Sequence, residues 1–439
     1  MKLFKKYVLA VGLLVNTNVA IAQETLTKEQ AVSIALENNY EIKVASNNVK
    51  IAENNAGILN SGMLPQVSAN AGANLSNNDT EVTTMEGQKR SLDGLTSQSY
   101  NASIGVNYTL FDGMGRAYNY RKLQESQRLS ELDARQIIEN TLLSLFTSYY
   151  EVARLMENEN RQKQTLETSN QRLLRAKYNY EYGQGSKLDL LNAEVDVNRD
   201  SIDLMEIRRQ LINTKRDLNV ILGRDVNVTF EVDTTVRYTS GLSQENLLAN
   251  AKEKNVELLK ARKNRQLNEY DVKISQTGWV PKVSLNGSYG WSQSENANVQ
   301  FPRQSTVGLS ANLNMAWNIF DGGKTRTNVQ NAKIAVHNRE IQQKQFEQII
   351  ERNVNNAWSS YQNALFILRA EEKNVQTNEL NFERSLEQYK LGQINSIQFR
   401  DAQLNLLNAQ NSFNQAKYEA KKTELQLLQL SGNLLNSEF

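Results

Sequence analysis

The chain has 439 residues, no cysteine, three prolines and a formal net charge of +2. Without cysteine it holds no disulfide, thiolate metal site or cysteine nucleophile, and its near-neutral balance lacks the basic footprint of a nucleic-acid binder. Usage rich in Leu, Ala, Asn, Gln and charged residues is that of long helices rather than of a compact mixed domain.

Residues 1–22 read as a secretory signal peptide. Lys2, Lys5 and Lys6 form a basic region, Tyr7 to Val15 an apolar core, and Ala20-Ile21-Ala22 a small-x-small cleavage site. The apolar run is about half of the ~20 residues that a spanning helix needs. The expectation is an exported chain beginning near Gln23, with no cysteine there to carry a lipid, and no later stretch apolar enough to span a bilayer as a helix.

From there the sequence is written twice. Aligning Leu26 with Leu242 pairs Glu37 with Glu253, Asn39 with Asn255, Gly62 with Gly278 and Pro65 with Pro281, at an offset of 216. After the segment that follows, the offset becomes 209 and holds through Phe111/Phe320, Tyr180/Tyr389, Gly183/Gly392 and Gly223/Gly432. One loop insertion of seven residues accounts for the change. The organisation is a first repeat over 23–223, a mixed equatorial linker over 224–241 and a second repeat over 242–439.

Each repeat opens with a helix of roughly 35 residues, capped by Thr27 or Ser243 and stopped by Pro65 or Pro281. Two alternating segments follow. Val67, Ala69, Ala71, Ala73 and Leu75 alternate with uncharged polar residues, as do Tyr100 to Leu110, Val283 to Trp291 and Val307 to Ile319, with Ala316 as the one exception. A half-buried soluble sheet would give the same alternation. Strands of about ten residues, aromatics toward their ends and interiors without charge favour a membrane barrel. Both hairpins leave through Phe-Asp-Gly: Phe111-Asp112-Gly113 and Phe320-Asp321-Gly322.

Two helices of nearly 70 residues come next, from about Met114 to Tyr182 and from about Lys324 to Leu391. In the second, Val354, Tyr361, Leu368, Val375, Phe382 and Tyr389 recur every seven residues, a coiled-coil seam. A glycine turn and a helix of just under 40 residues complete each repeat. In the linker, Val226, Val228 and Phe230 alternate with polar residues and predict a short strand.

Four strands cannot close a barrel, and an open edge in lipid leaves backbone groups unsatisfied at several kcal/mol each. Two chains would supply eight strands, whose interior side chains fill; three would supply twelve, with room for a lumen. The fold class expected is therefore an α+β membrane protein. It combines a trimeric 12-stranded outer-membrane β-barrel, four strands per chain, with a long α-helical coiled-coil tunnel. The lone histidine, His337, has no acidic cluster around it, and neither Gly-Met-Gly at 113–115 nor Gly-Gln-Gly at 183–185 ends in the Lys-Ser/Thr of a phosphate loop. No enzyme, cofactor or metal site is expected.

The two-fold repeat, the Pro-led strand starts, the Phe-Asp-Gly exits and the Tyr-x-x-Gly turns at Tyr180 and Tyr389 together resemble the outer-membrane efflux duct family, the TolC-like proteins. The resemblance covers essentially the whole mature chain. It implies a homotrimer in outer-membrane lipid that carries substrates passively from an inner-membrane pump of RND or ABC type, through a periplasmic adaptor protein. The cargo would be that of tripartite efflux or of type I secretion. It further implies that adaptor hairpins meet the helix-turn tips, here Gly183 and Gln184, Gly392 and Gln393. In the family the tunnel entrance is narrowed by aspartates and tethered by a Tyr, Asp and Arg network. The matching positions are Asp189, Tyr389, Gln398 and Asp401, with Gln398 standing where a second aspartate is usual and Ile394 where the tethering arginine is usual. On the residues alone a second class stays open, an exported coiled-coil scaffold or adhesin without channel activity.

Overall fold

The computed structural model describes residues 25–296 and 302–436, so the signal-peptide reading lies outside the described residues. In chain order the elements are β1 (Thr25–Leu26), α1 (Lys28–Asn38), α2 (Tyr40–Ala56), β2 (Gln66–Thr83), β3 (Lys89–Phe111), α3 (Gly115–Glu181) and α4 (Lys187–Leu222). Then follow β4 (Glu231–Val232), α5 (Gln244–Lys254), α6 (Val256–Gln276), β5 (Lys282–Asn296), β6 (Arg303–Ala316), α7 (Lys324–Lys390) and α8 (Ser396–Leu430). Each half thus repeats helix, helix, hairpin, long helix, helix.

The expected 35-residue first helix is two helices in each copy. Asn39 breaks the first: its Oδ1 accepts from the backbone N–H groups of Glu41 and Ile42, while its Nδ2 donates to the Ile221 carbonyl at 2.8 Å. Asn255 repeats the arrangement on Glu257, Leu258 and the Leu430 carbonyl. An asparagine that satisfies the next helix's free amides competes successfully with helix continuation. Nor does Pro65 end the first-copy helix; α2 stops at Ala56, and Ile58–Asn60 forms a 3₁₀ turn before the strand. Thr27 does cap α1, in a reciprocal capping box with Gln30.

The long helices α3 and α7 have 67 residues each, about 100 Å at the usual rise. Helix α3 runs beside α4 and α7 beside α8; α8 also packs on α3, and α6 fills the space between α3 and α7. In the α7 seam Val354, Tyr361 and Ala364 are buried. The main core lies at mid-height, where Phe146, Tyr149 and Tyr150 of α3 meet Leu218 and Leu222 of α4, Leu425 of α8 and Phe230. The linker strand is Glu231–Val232, not the 226–230 segment, and pairs in parallel with Thr25–Leu26. Tyr149 selects that register: its hydroxyl donates to the Leu26 carbonyl and accepts from the Asp233 amide. The linker is then pinned to α8 by the fully buried Lys421–Glu424 pair, through the Arg237 carbonyl and the amide and hydroxyl of Thr239.

The four long strands form one antiparallel sheet in the order β2-β3-β5-β6. They are longer than the ten residues expected; β2 and β3 have 18 and 23. Their outer part, beyond an irregularity at Asn78/Thr80, carries Glu81 ion-paired to Lys89. The register puts every apolar series on one face: Ala69 opposite Ile104, Ile104 opposite Tyr289, Tyr289 opposite Leu309. That face has no protein cover in the single chain, with Val67 69% and Leu309 79% exposed. Among the described residues no helix is long and apolar enough to cross a membrane.

Candidate duct entrance

The two strand exits are built alike. Asp112 accepts from the Arg116 amide and from its guanidinium, both at 3.0 Å, and Asp321 accepts from the Thr325 amide at 2.8 Å and hydroxyl at 2.6 Å. Each aspartate of a Phe-Asp-Gly exit thereby caps the free amides of the long helix it precedes. Gly113 and Gly322 adopt positive φ, which lets the chain turn from strand to helix. Of the flanking residues, Pro65 is exposed, Pro281 half-buried and Phe320 exposed, while Phe111 is the last paired residue of β3.

At the opposite end of the long helices lie the two tips. Gly183 has φ +71° and Gly392 φ +74°, and a side chain at either would meet nothing within 4 Å. In the first tip the Gly183 amide bonds Tyr180 O and the Gln184 amide bonds Asn179 O; in the second, Gly392 bonds Tyr389 O and Gln393 bonds Gln388 O. Both are Schellman closures, so the repeated Tyr-x-x-Gly is a helix stop written in hydrogen bonds. Each following helix begins with a capping box, Ser186 with Asp189 and Asn395 with Gln398.

Two of the expected entrance residues, Asp189 and Gln398, therefore sit at equivalent N3 positions and spend their side chains on helix caps. Tyr389 lies flat on buried Phe399, ring centroids 4.9 Å apart and planes within 5°. The guanidinium of Arg175, from α3, stands 4.8 Å over the Tyr389 ring and donates to the Lys390 carbonyl at 3.0 Å. Asp401 is exposed and has no ion pair among the described residues. His337 is exposed beside Glu340, well away from these groups. Asp189 and Tyr389 are not joined to each other; Tyr389 is instead held by Phe399 and Arg175.

A buried polar network a few turns above the tips was not anticipated. Arg400 of α8 makes a two-pronged pair with Asp200 of α4, at 2.7 and 2.9 Å, with Asp200 only 1% exposed. The Ser169 hydroxyl donates to the same carboxylate at 2.6 Å, and Gln403 donates to Ser169 and to the Thr165 carbonyl. Asp196 joins Arg172 of α3 to Arg400. Burial pushes the Arg172 guanidinium below its ordinary value, opposed by Asp196. The network ties the α3–α4 pair of the first repeat to α8 of the second. A signal for it existed: Gln162, Thr165, Ser169, Arg172 and Ala176 follow the 4-3 spacing of a seam, but the first four are polar.

The sequence profile of the outer membrane efflux proteins matches residues 31–224 and 247–433, the two repeats almost end to end. The chain belongs to the outer membrane efflux protein family. Among its relatives, the outer membrane efflux protein BepC of Brucella suis is 22% identical over 95% of this chain and 87% of its own length. The outer membrane protein TolC of Vibrio cholerae is 22% identical over 85% of this chain and 83% of its own. Among solved structures, the CmeC outer membrane channel of Campylobacter jejuni superposes with a TM-score of 0.77 at 17% identity, covering 93% of this chain and 86% of that one. The open state of the MtrE outer membrane channel of Neisseria gonorrhoeae gives 0.68 at 16% identity. As an efflux protein of this family, the chain is an outer-membrane channel component, and its exposed apolar sheet face is the surface suited to lipid.

Proposed function

We propose that three copies of this efflux protein close a twelve-stranded barrel continued by a helical tunnel, which passively conducts cargo delivered by a periplasmic adaptor and an inner-membrane pump. One observation carries the reading. The sheet ends in two unpaired edges, β2 and β6, while its apolar face is bare. In hydrocarbon each unpaired backbone group costs several kcal/mol, so β6 of one copy must pair with β2 of the next. The helices support the same assembly. Leu188, Val195 and Ile202, with Leu191, Met205 and Ile212, form a heptad seam on α4 that is exposed in the single chain, Ile202 by 68%. A second copy's helix on that seam would bury it.

In this reading Gly183, Gln184, Gly392 and Gln393 meet the adaptor, and Asp189, Tyr389, Gln398 and Asp401 surround the entrance. Arg175 on Tyr389, together with the Arg400–Asp200 pair, stands in for the tether arginine that Ile394 replaces. Asp401, repeated by three-fold symmetry, supplies a carboxylate ring that favours cations. The pump is of RND or ABC type and the cargo that of efflux or type I secretion.

The test uses the cysteine-free background. Detergent extracts of outer membranes should yield a trimer that conducts in planar bilayers, and Asn395→Cys should trap the adaptor by crosslinking. A monomer released without detergent that forms no channel would overturn the duct and favour the scaffold reading.

A further inference from the structure

The polar face of the sheet is almost free of charge. At the level of Asn107 the register aligns Gln66, Asn107, Asn286 and Asn312, one carboxamide per strand across all four strands. From that level outward to Ser76, Ser97, Ser294 and Gln304, every position of this face is Asn, Gln, Ser, Thr or Gly. The ion-paired Glu295 and Arg303 share the parity of Leu285 and Leu309 and so belong to the opposite, apolar series.

Among the described residues of the paired strands inward of the Asn78/Thr80 irregularity, Lys282 is the one charge on this polar face. It is the first residue of β5, two positions before Ser284 and opposite Ala316, and it is exposed with no carboxylate partner among the described residues. The neighbouring junction carboxylate, Asp112, is already paired to Arg116. A single ammonium at the mouth of a bore otherwise lined by neutral amides and hydroxyls has no competing fixed charge nearby on the strands, so its field is felt by whatever passes.

We infer that Lys282 sets the ion preference of the barrel section, drawing anions or anionic groups of cargo from the tunnel into the barrel. This rests on the trimeric duct above, where three lysines form a ring at the helix-to-strand junction. The carboxamide level beyond it, twelve amides in the closed barrel, presents donors and acceptors alike and discriminates little by charge.

The test is the reversal potential of the full-chain trimer in planar bilayers under a KCl gradient. At ~0.1 M salt, where screening extends over about 10 Å, Lys282→Gln should lower the chloride-to-potassium permeability ratio about twofold or more. Lys282→Arg should hold the wild-type ratio, and the difference between wild type and Lys282→Gln should collapse at ~1 M salt. An unchanged ratio in Lys282→Gln at low salt, from channels of ordinary conductance, would overturn the assignment. Absence of channels from the wild-type chain would overturn the duct reading instead.

Discussion

Removing Arg400 should loosen the packing of α3, α4 and α8 above the tips far more than its single position suggests. In Arg400→Met the Asp200 carboxylate, 1% exposed, keeps only the Ser169 hydroxyl and loses both charged hydrogen bonds. Breaking one side of a buried ion pair costs about 3–5 kcal/mol, most of it the penalty of the charge left behind. The assay is amide hydrogen exchange of the detergent-solubilised protein over segments 165–175 and 396–404, which reads local opening rather than irreversible global unfolding. A loss of 3 kcal/mol corresponds to roughly a hundredfold faster exchange there, with the mid-height core around Tyr149 unchanged. The double variant Asp200→Leu with Arg400→Met replaces the pair by apolar groups and should return most of the protection, because the isolated charge is gone. Exchange in Arg400→Met within about threefold of wild type, or a double variant as labile as the sum of the singles, would refute the reasoning.

The other predictions rest on single local features. Asn39→Ala and Asn255→Ala each lose a helix cap and a buried bond to a carbonyl of the helix that ends beside them, so each should cost about 1–2 kcal/mol in opening of its own repeat, by hydrogen exchange. Gly223→Ala places a Cβ 2.4 Å from the Asn38 carbonyl oxygen at φ +68° and should destabilise by about 2–5 kcal/mol, whereas Gly183→Ala, with open space around it, should show only the ~1–2 kcal/mol backbone strain. Lys28 is buried, and burial pushes its pKa below the ordinary lysine value. The unfolded chain then binds more protons than the folded one as pH approaches 10.5, so stability gained from this group rises with pH in that window. Lys28→Met should abolish that part of the rise in denaturation temperature, and a parallel pH profile in the variant would contradict it.

Much of the architecture was legible because it rests on local periodicity. Alternation marked the strands, the seven-residue recurrence from Val354 to Tyr389 marked the long helix, and Thr27 and Ser243 marked the helix starts. Where a residue had two possible local roles, sequence reasoning went astray. Asn39 and Asn255 read as ordinary helical positions until the Ile221 and Leu430 carbonyls were brought beside them. The alternation of Val226 and Val228 suggested a strand, but hydrogen-bonding partners at Thr25 and Leu26 exist only for Glu231 and Val232. Near the second tip the sequence singled out Tyr389 but not Arg175, which stands over its ring, since the two lie 214 positions apart and share no pattern.

By itself the sequence determined the duplication and the strand faces, because these follow from residue order and side-chain period. Only the tertiary structure decided which charges meet. Asp200 and Arg400 belong to different repeats, and no spacing rule links them. Packing α8 between α3 and α7 brings them within 2.7 Å and excludes the water that would otherwise make each of them an ordinary solvated charge.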